Sequence, residues 1–199
     1  MIAILDVCSG NLRSVERALA HVGAEVVVTH DPAVVARADK LVVPGQGAFG
    51  PFMRGIVERE LEAPLRAAIA NGTPYLGICL GMQVLFEHSE EGDVAGLGIL
   101  PGRVTRLRPS DPTLKIPHMG WNHVELKQPV PGLADGAYVY FVHSYRVEPS
   151  DPSVVAVEAT HGVPFCAGVK RDNLLAVQFH PEKSQGVGLS VLRAFAEAA

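Results

Sequence analysis

The sequence predicts an α/β fold built on an open mixed sheet. The sheet is mainly parallel in the N-terminal half, antiparallel strands are added afterwards, and helices cover both faces. Three observations carry this expectation. Short apolar runs alternate with helical repeats in the first half of the chain. In the second half, strand-like runs follow one another with few helices between them. An amphipathic segment at 189–198 closes the chain as a helix.

The elements can be justified in order. Residues 2–7 are a short apolar run that suits a buried strand. Leu12, Val15, Leu19 and Val22 recur at helical spacing, and Gly23 stops that helix. Residues 25–29 read as the second strand. Asp31 is placed to cap a short helix, with Pro32 in its first turn. Residues 40–43 form the third strand and run into a glycine-rich loop at 44–50. A helix is expected over 57–70, ending at Asn71-Gly72. Residues 74–79 are the fourth strand, and a helix is expected over 81–88. Beyond it, 103–107, 121–126, 137–142, 154–159 and 165–170 read as antiparallel hairpins, and 174–179 as one more apolar strand. Neither a repeat nor a linker interrupts the pattern, so residues 1–199 are expected to form a single domain.

Composition excludes several classes of function. The chain has 199 residues, 48% hydrophobic and 19% charged, the balance of a folded globular protein. A net charge of −4 argues against general nucleic-acid binding and against anionic membranes. No apolar run approaches the roughly 20 residues of a membrane span. The start lacks the pattern of a signal peptide, so a cytoplasmic protein is expected. The 3 cysteines, Cys8, Cys79 and Cys166, have no paired spacing. They suit a reducing compartment rather than a disulfide framework or a zinc site. No metal and no cofactor is expected; His118 and His123 are not spaced as a helical ligand pair.

The sharpest local feature is Gly77-Ile78-Cys79-Leu80-Gly81, where an apolar strand meets a helix. A turn this tight strains its central residue, and glycines two before and two after let the backbone pass. The turn would lift the Cys79 sulfur out of the sheet's carboxyl end, beside a helix N-terminus that favours thiolate. A cysteine taken alone is more often a buried structural residue, as Cys8 and Cys166 are read here. A cysteine nucleophile needs a proton carrier. Of 8 histidines, His180 stands at the end of the last apolar strand, in Gln178-Phe179-His180-Pro181-Glu182. Residues two apart on an extended segment share a side, so Glu182 can orient the imidazole. Attack on a carbonyl also needs donors for the oxyanion. The Leu80 N–H is one candidate, and the N–H of Gln46 or Gly47 in the 44–50 loop is the other. Ser144, as a rival nucleophile, lacks the flanking glycines of an elbow.

Together these segments resemble the triad-type (class I) glutamine amidotransferases. Further segments carry the likeness: Leu41 to Phe49, Gly96-Leu97-Gly98, Pro117 to Asn122, Tyr140 to Tyr145 and Gln178 to Ser184. Within the family, Met82, Met119-Gly120-Trp121-Asn122 and Glu182-Lys183-Ser184 are most similar to glutaminase subunits of histidine biosynthesis. The resemblance implies a flavodoxin-like amidotransferase domain that hydrolyses glutamine through a Cys thioester. It implies Cys79, His180 and Glu182 as the triad, and Leu80 with the Gly45–Gly47 loop as the oxyanion hole. Gln83 and Glu91 would hold the amino-acid end of glutamine, with the backbone of His143, Ser144 and Tyr145. The partner implied is a (β/α)₈-barrel cyclase subunit, bound as a heterodimer. It would use the ammonia to make imidazole glycerol phosphate and an aminoimidazole carboxamide ribotide. Trp121, Asn122, Tyr140 and Lys183 would face that barrel, with Asn11 and Arg13 as weaker candidates; Tyr140 could equally be a core aromatic. The chain departs from those subunits at Gln46, where they commonly carry an apolar residue, leaving open which peptide donates.

Overall fold

The computed structural model describes residues 1–7 and 12–198. Cys8 and Asn11 therefore lie outside the described residues. The first half contains β1 (Ile2–Leu5), α1 (Leu12–His21), β2 (Val26–Thr29), α2 (Pro32–Val35), β3 (Lys40–Gly45), α3 (Phe49–Glu58), α4 (Glu62–Ala70), β4 (Tyr75–Cys79) and α5 (Leu80–Gln83). Then follow β5 (Phe86–Ser89), β6 (Val94–Ala95), β7 (Leu100–Arg106), β8 (His118–His123), β9 (Glu125–Leu126), β10 (Tyr138–His143) and β11 (Tyr145–Pro149). The chain closes with β12 (Val155–Thr160), β13 (Pro164–Arg171), β14 (Leu174–Val177), a 3₁₀ turn at Pro181–Lys183, and α6 (Gln185–Glu197).

The main sheet runs β2-β1-β3-β4-β14-β13-β11-β7-β5-β6, with β12 added beside β13 and β9 beside β12. Strands β2, β1, β3, β4 and β14 are all parallel to their neighbours in that run. Alternation along each strand divides the core. Ile2, Ile4, Val42, Leu76 and Ile78 turn to one face, where Val15 and Leu19 of α1 and Leu192 and Phe195 of α6 cover them. Ala3, Leu5, Leu41, Val43 and Tyr75 turn to the other, under Val35, Phe52, Ile56 and Leu65 of α2, α3 and α4. Each large side chain buried there contributes about 1.5–3 kcal/mol. Strands covered on both faces read as continuous apolar runs, which is why the parallel half was legible.

Four local expectations need correction. The helix expected over 57–70 is two helices, α3 and α4. Glu60 takes a left-handed conformation (φ 55°) and closes α3: its N–H bonds Val57 O, and the Leu61 N–H bonds Ile56 O at 2.9 Å. Leu61 is fully buried, which pins the break. Helix α3 also begins earlier than expected, at Phe49 inside the predicted loop. The helix expected over 81–88 is a single turn, after which the chain becomes β5. Backbone pairing takes over there: Leu97 N–H bonds Val84 O, and Leu100 N–H bonds Leu85 O. Finally, β8 and β10 do not join the main sheet; they form a separate antiparallel ribbon, with Tyr140 opposite Trp121 and His143 opposite His118.

Candidate active site

Three neighbouring parallel strands end at the same edge. Gly45 at the tip of β3 pairs with Cys79 at the tip of β4, and Ile78 pairs with Val177 at the tip of β14. Adjacent strands lie about 4.8 Å apart. The loop after β3, the sulfur of Cys79 and the segment leading to His180 therefore meet by topology alone, at the carboxyl edge where open α/β sheets hold their sites.

Cys79 has φ 55° and ψ −107°, a strained conformation for a residue with a side chain. The flanking glycines have a steric reason. A Cβ on Gly81 would lie 1.7 Å from Val43 O, and one on Gly77 would lie 2.5 Å from Gly81 O. The buried Tyr75 hydroxyl donates to Gly81 O at 2.6 Å and locks the turn from below. With only Leu80–Gln83 behind it, the elbow has one helical turn rather than the longer dipole expected.

His180 is held by its backbone and by its ring. Its N–H donates to Tyr140 O at 2.9 Å. Its Nδ1 meets Glu182 Oε1 at 2.8 Å, and both side chains are at most 2% exposed. The Ser184 hydroxyl donates to His180 O at 2.7 Å and accepts the Tyr140 N–H at 3.0 Å. Burial opposes charging of the imidazole, but the nearby Cys79 sulfur and the Glu182 carboxylate outweigh it and hold its pKa up at about 9. Nε2 itself makes no hydrogen bond among the described residues, so the pull of the sulfur comes from its proximity.

A cavity of about 320 Å³ opens above this edge. Cys79, Leu80 and His180 line its floor, and Gln46 and Gly47 form one wall. Gln83, Glu91, His143, Ser144 and Tyr145 line it as well, together with Lys183. Glu182 stands behind the imidazole rather than in the cavity. Glu91 is not the solvated charge its acidic neighbourhood suggests: its Oε2 accepts the Phe49 N–H at 2.9 Å, at the N-terminus of α3. Two carbonyls of the pocket backbone are already engaged. Ser144 O accepts Leu107 N–H, and Tyr145 O accepts both Gln83 Nε2 and His143 Nδ1. Cys166 is buried, its thiol pushed up to about 12, as expected of an inert core cysteine.

The residues expected at a partner surface divide. The Trp121 ring meets Tyr140 edge-on at 6.1 Å, and Lys183 Nζ lies 5.9 Å from the Tyr140 ring centre. Asn122 turns to the other side of the ribbon, where Nδ2 donates to Thr160 O at 2.8 Å and meets His118 Nε2 at 3.3 Å. Period-two reading of the ribbon would have added Met119 and Tyr138, 62% and 60% exposed, on the same face as Trp121. Sequence reasoning also missed a role for Gln178, whose Nε2 donates to Cys79 Sγ at 3.4 Å.

Comparison with known proteins places the whole chain in one family. The sequence profile of the class-I glutamine amidotransferases matches residues 3–198. The imidazole glycerol phosphate synthase subunit HisH of Syntrophotalea carbinolica is 51% identical, covering 99% of this chain and 100% of that protein. The HisH subunit of Geobacter sulfurreducens is 50% identical, with 98% of each chain covered. Among solved structures, a glutamine amidotransferase superposes with a TM-score of 0.77 at 19% identity over 99% of both chains. The glutaminase domain of Trypanosoma brucei CTPS with bound acivicin gives 0.69 at 16% identity, over 100% of this chain and 94% of that one. At such identities these structures speak for the fold alone.

Proposed function

The chain belongs to the class-I glutamine amidotransferase family, and on that premise we propose that it is the glutaminase subunit of an imidazole glycerol phosphate synthase. It hydrolyses glutamine to glutamate and ammonia. The ammonia passes to a (β/α)₈-barrel cyclase subunit, bound as a heterodimer, which makes imidazole glycerol phosphate and an aminoimidazole carboxamide ribotide in histidine biosynthesis. The single observation that carries the chemistry is the meeting of Cys79, His180 and Glu91 in one cavity, with Glu182 on the far side of the imidazole. Full-length identity near 50% to HisH subunits supports the partner and the pathway.

The mechanism follows from these groups. The Cys79 sulfur attacks the side-chain carbonyl carbon of glutamine. Negative charge builds on the carbonyl oxygen, beside the Leu80 N–H and the Gln46–Gly47 peptide. The C–N bond breaks as His180 Nε2 gives its proton to the leaving nitrogen, so ammonia departs and a glutamyl thioester remains. His180 then takes a proton from water as the water attacks the thioester; glutamate leaves and the sulfur regains its starting state. Glu182 keeps Nδ1 protonated and offsets the charge on the ring. Glu91 suits the ammonium of the substrate, and the Gln83 oxygen, its NH₂ already engaged, can accept from the same ammonium.

The reading fits a whole chain that acts as one amidotransferase domain, in the cytoplasm, without a cofactor. No described helix is long and apolar enough to cross a membrane. Exposed Trp121 and half-buried Tyr140 and Lys183 form the docking face for the barrel. The test is ammonia release from glutamine, with and without the cyclase and its ligand. The expected result is slow release alone and strong activation by the loaded partner. Cys79→Ala should abolish release while free ammonia still supports the cyclase reaction. Glutaminase activity retained in Cys79→Ala would overturn the mechanism; equal rates with and without the cyclase would overturn the partnership.

A further inference from the structure

We propose that Gln178 is a positioning residue for the reaction: its side-chain amide donates to the Cys79 sulfur in an orientation fixed by Gln83 and the Tyr145 carbonyl. The inference rests on Cys79 being the nucleophile.

Strand register brings the two together. Ile78 pairs with Val177, so the next residues, Cys79 and Gln178, lie side by side at the tips of β4 and β14. Gln178 is fully buried and Gln83 is 3% exposed, so water cannot reorient either amide. The orientation follows from donor accounting. The Tyr145 carbonyl can only accept, so Gln83 must turn its NH₂ toward it, at 3.3 Å. The same NH₂ reaches Gln178 at 2.9 Å, so Gln178 must present its oxygen there. Its own NH₂ is thereby left facing Cys79 Sγ at 3.4 Å.

The Tyr145 carbonyl is itself anchored from the other side. His143 Nδ1 lies 2.9 Å from it and must carry the proton. His143 Nε2 then accepts from His118 Nδ1 at 2.9 Å, and His118 Nε2 accepts from Asn122. Two runs of bonds therefore meet at the Tyr145 carbonyl: one from the ribbon through two neutral imidazoles, the other from Gln83, which also donates toward Gln178 and so toward the sulfur. Burial pushes the imidazoles down to about 3 for His143 and about 4 for His118, in keeping with their neutral state.

A donor aimed at sulfur favours the thiolate over the thiol. The other titratable groups lining this cavity are His180 beyond β14, Glu91 beyond β5, Lys183 next to the imidazole segment, His143 on β10 and Tyr145 on β11. Among these groups and Gln178, the Gln178 amide is the one whose hydrogen bond to the sulfur is formed.

The test reads the sulfur directly, by the rate at which iodoacetamide alkylates Cys79 in the full chain, followed on the Cys79 peptide by mass spectrometry from pH 6 to 10. Alkylation needs no glutamine turnover, so it separates this inference from the proposed function. Gln178→Glu keeps an acceptor for Gln83 but removes the donor to sulfur. It should slow alkylation at pH 7 about tenfold, with the rate recovered at higher pH. Gln83→Met, which frees the Gln178 amide to rotate, should slow it in the same direction by less. A folded Gln178→Glu variant that alkylates at the wild-type rate overturns the proposal, since Gln178 would then only hook Gln83. If Gln178→Glu does not fold, a wild-type rate in Gln83→Met overturns it and a slowed rate sustains it.

Discussion

His180 hangs from Tyr140: its backbone N–H donates to the Tyr140 carbonyl at 2.9 Å, while the Tyr140 ring on the same residue packs against Trp121. The ribbon that carries the exposed aromatic face is thus bonded directly to the segment that carries His180. A partner pressing on Trp121 and Tyr140 acts within one residue of the imidazole.

Ser184 completes that attachment. Ser184→Ala removes a hydroxyl that donates to His180 O and accepts the Tyr140 N–H. The expected cost is about 1–3 kcal/mol of stability from the partners left unpaired, with a lower kcat. Urea unfolding and steady-state glutaminase assays check both. A wild-type kcat would mean that the clamp does not align His180.

Glu182→Gln preserves volume but removes the charge 2.8 Å from His180 Nδ1. The imidazole should lose proton affinity, and kcat for glutamine should fall about a hundredfold or more. The basic limb of the pH–rate profile should move down. An unmoved limb would detach Glu182 from the titration of His180.

Gly47 lines the cavity with φ 92°, and a Cβ there would meet nothing within 4 Å. Gly47→Ala therefore acts through backbone conformation, not crowding, at about 1–2 kcal/mol. It should depress glutamine hydrolysis and leave the ammonia-driven reaction of the cyclase intact. Parallel assays with glutamine and with ammonium salts separate the two.

Stability should fall at both ends of the pH range. His118 and His143 are depressed to about 4 and about 3 from an ordinary 6.5, so below pH 6.5 the unfolded chain binds more protons. Each then removes about 1.4 kcal/mol per pH unit as pH falls toward those values. His180 is raised to about 9, so its contribution is complete below pH 6.5 and is lost as pH rises through about 9. Thermal midpoints across pH 4–10 test this, and His143→Phe should flatten the acid side.

What the sequence made legible was local. Gly77, Cys79 and Gly81 announce a turn because two close backbone approaches exclude any Cβ. His180 and Glu182 announce themselves by strand-end position and spacing. The break at Glu60, the switch from α5 to β5 and the separate ribbon were not legible, because tertiary backbone pairing decides them. Gln178 stands two residues before His180, where nothing local in the sequence marks a role for it. Only the register between β4 and β14 reveals that it touches sulfur.

That register has a consequence for synthesis on the ribosome. In the hydrogen-bonded order of the main sheet, β14 is the strand that joins β4 to β13. A nascent chain halted before Leu174 already holds the thiol, but lacks both the imidazole and the keystone between the two halves of the sheet. On the proposed mechanism, ammonia release waits until residues 174–182 have been made and β14 has paired with β4.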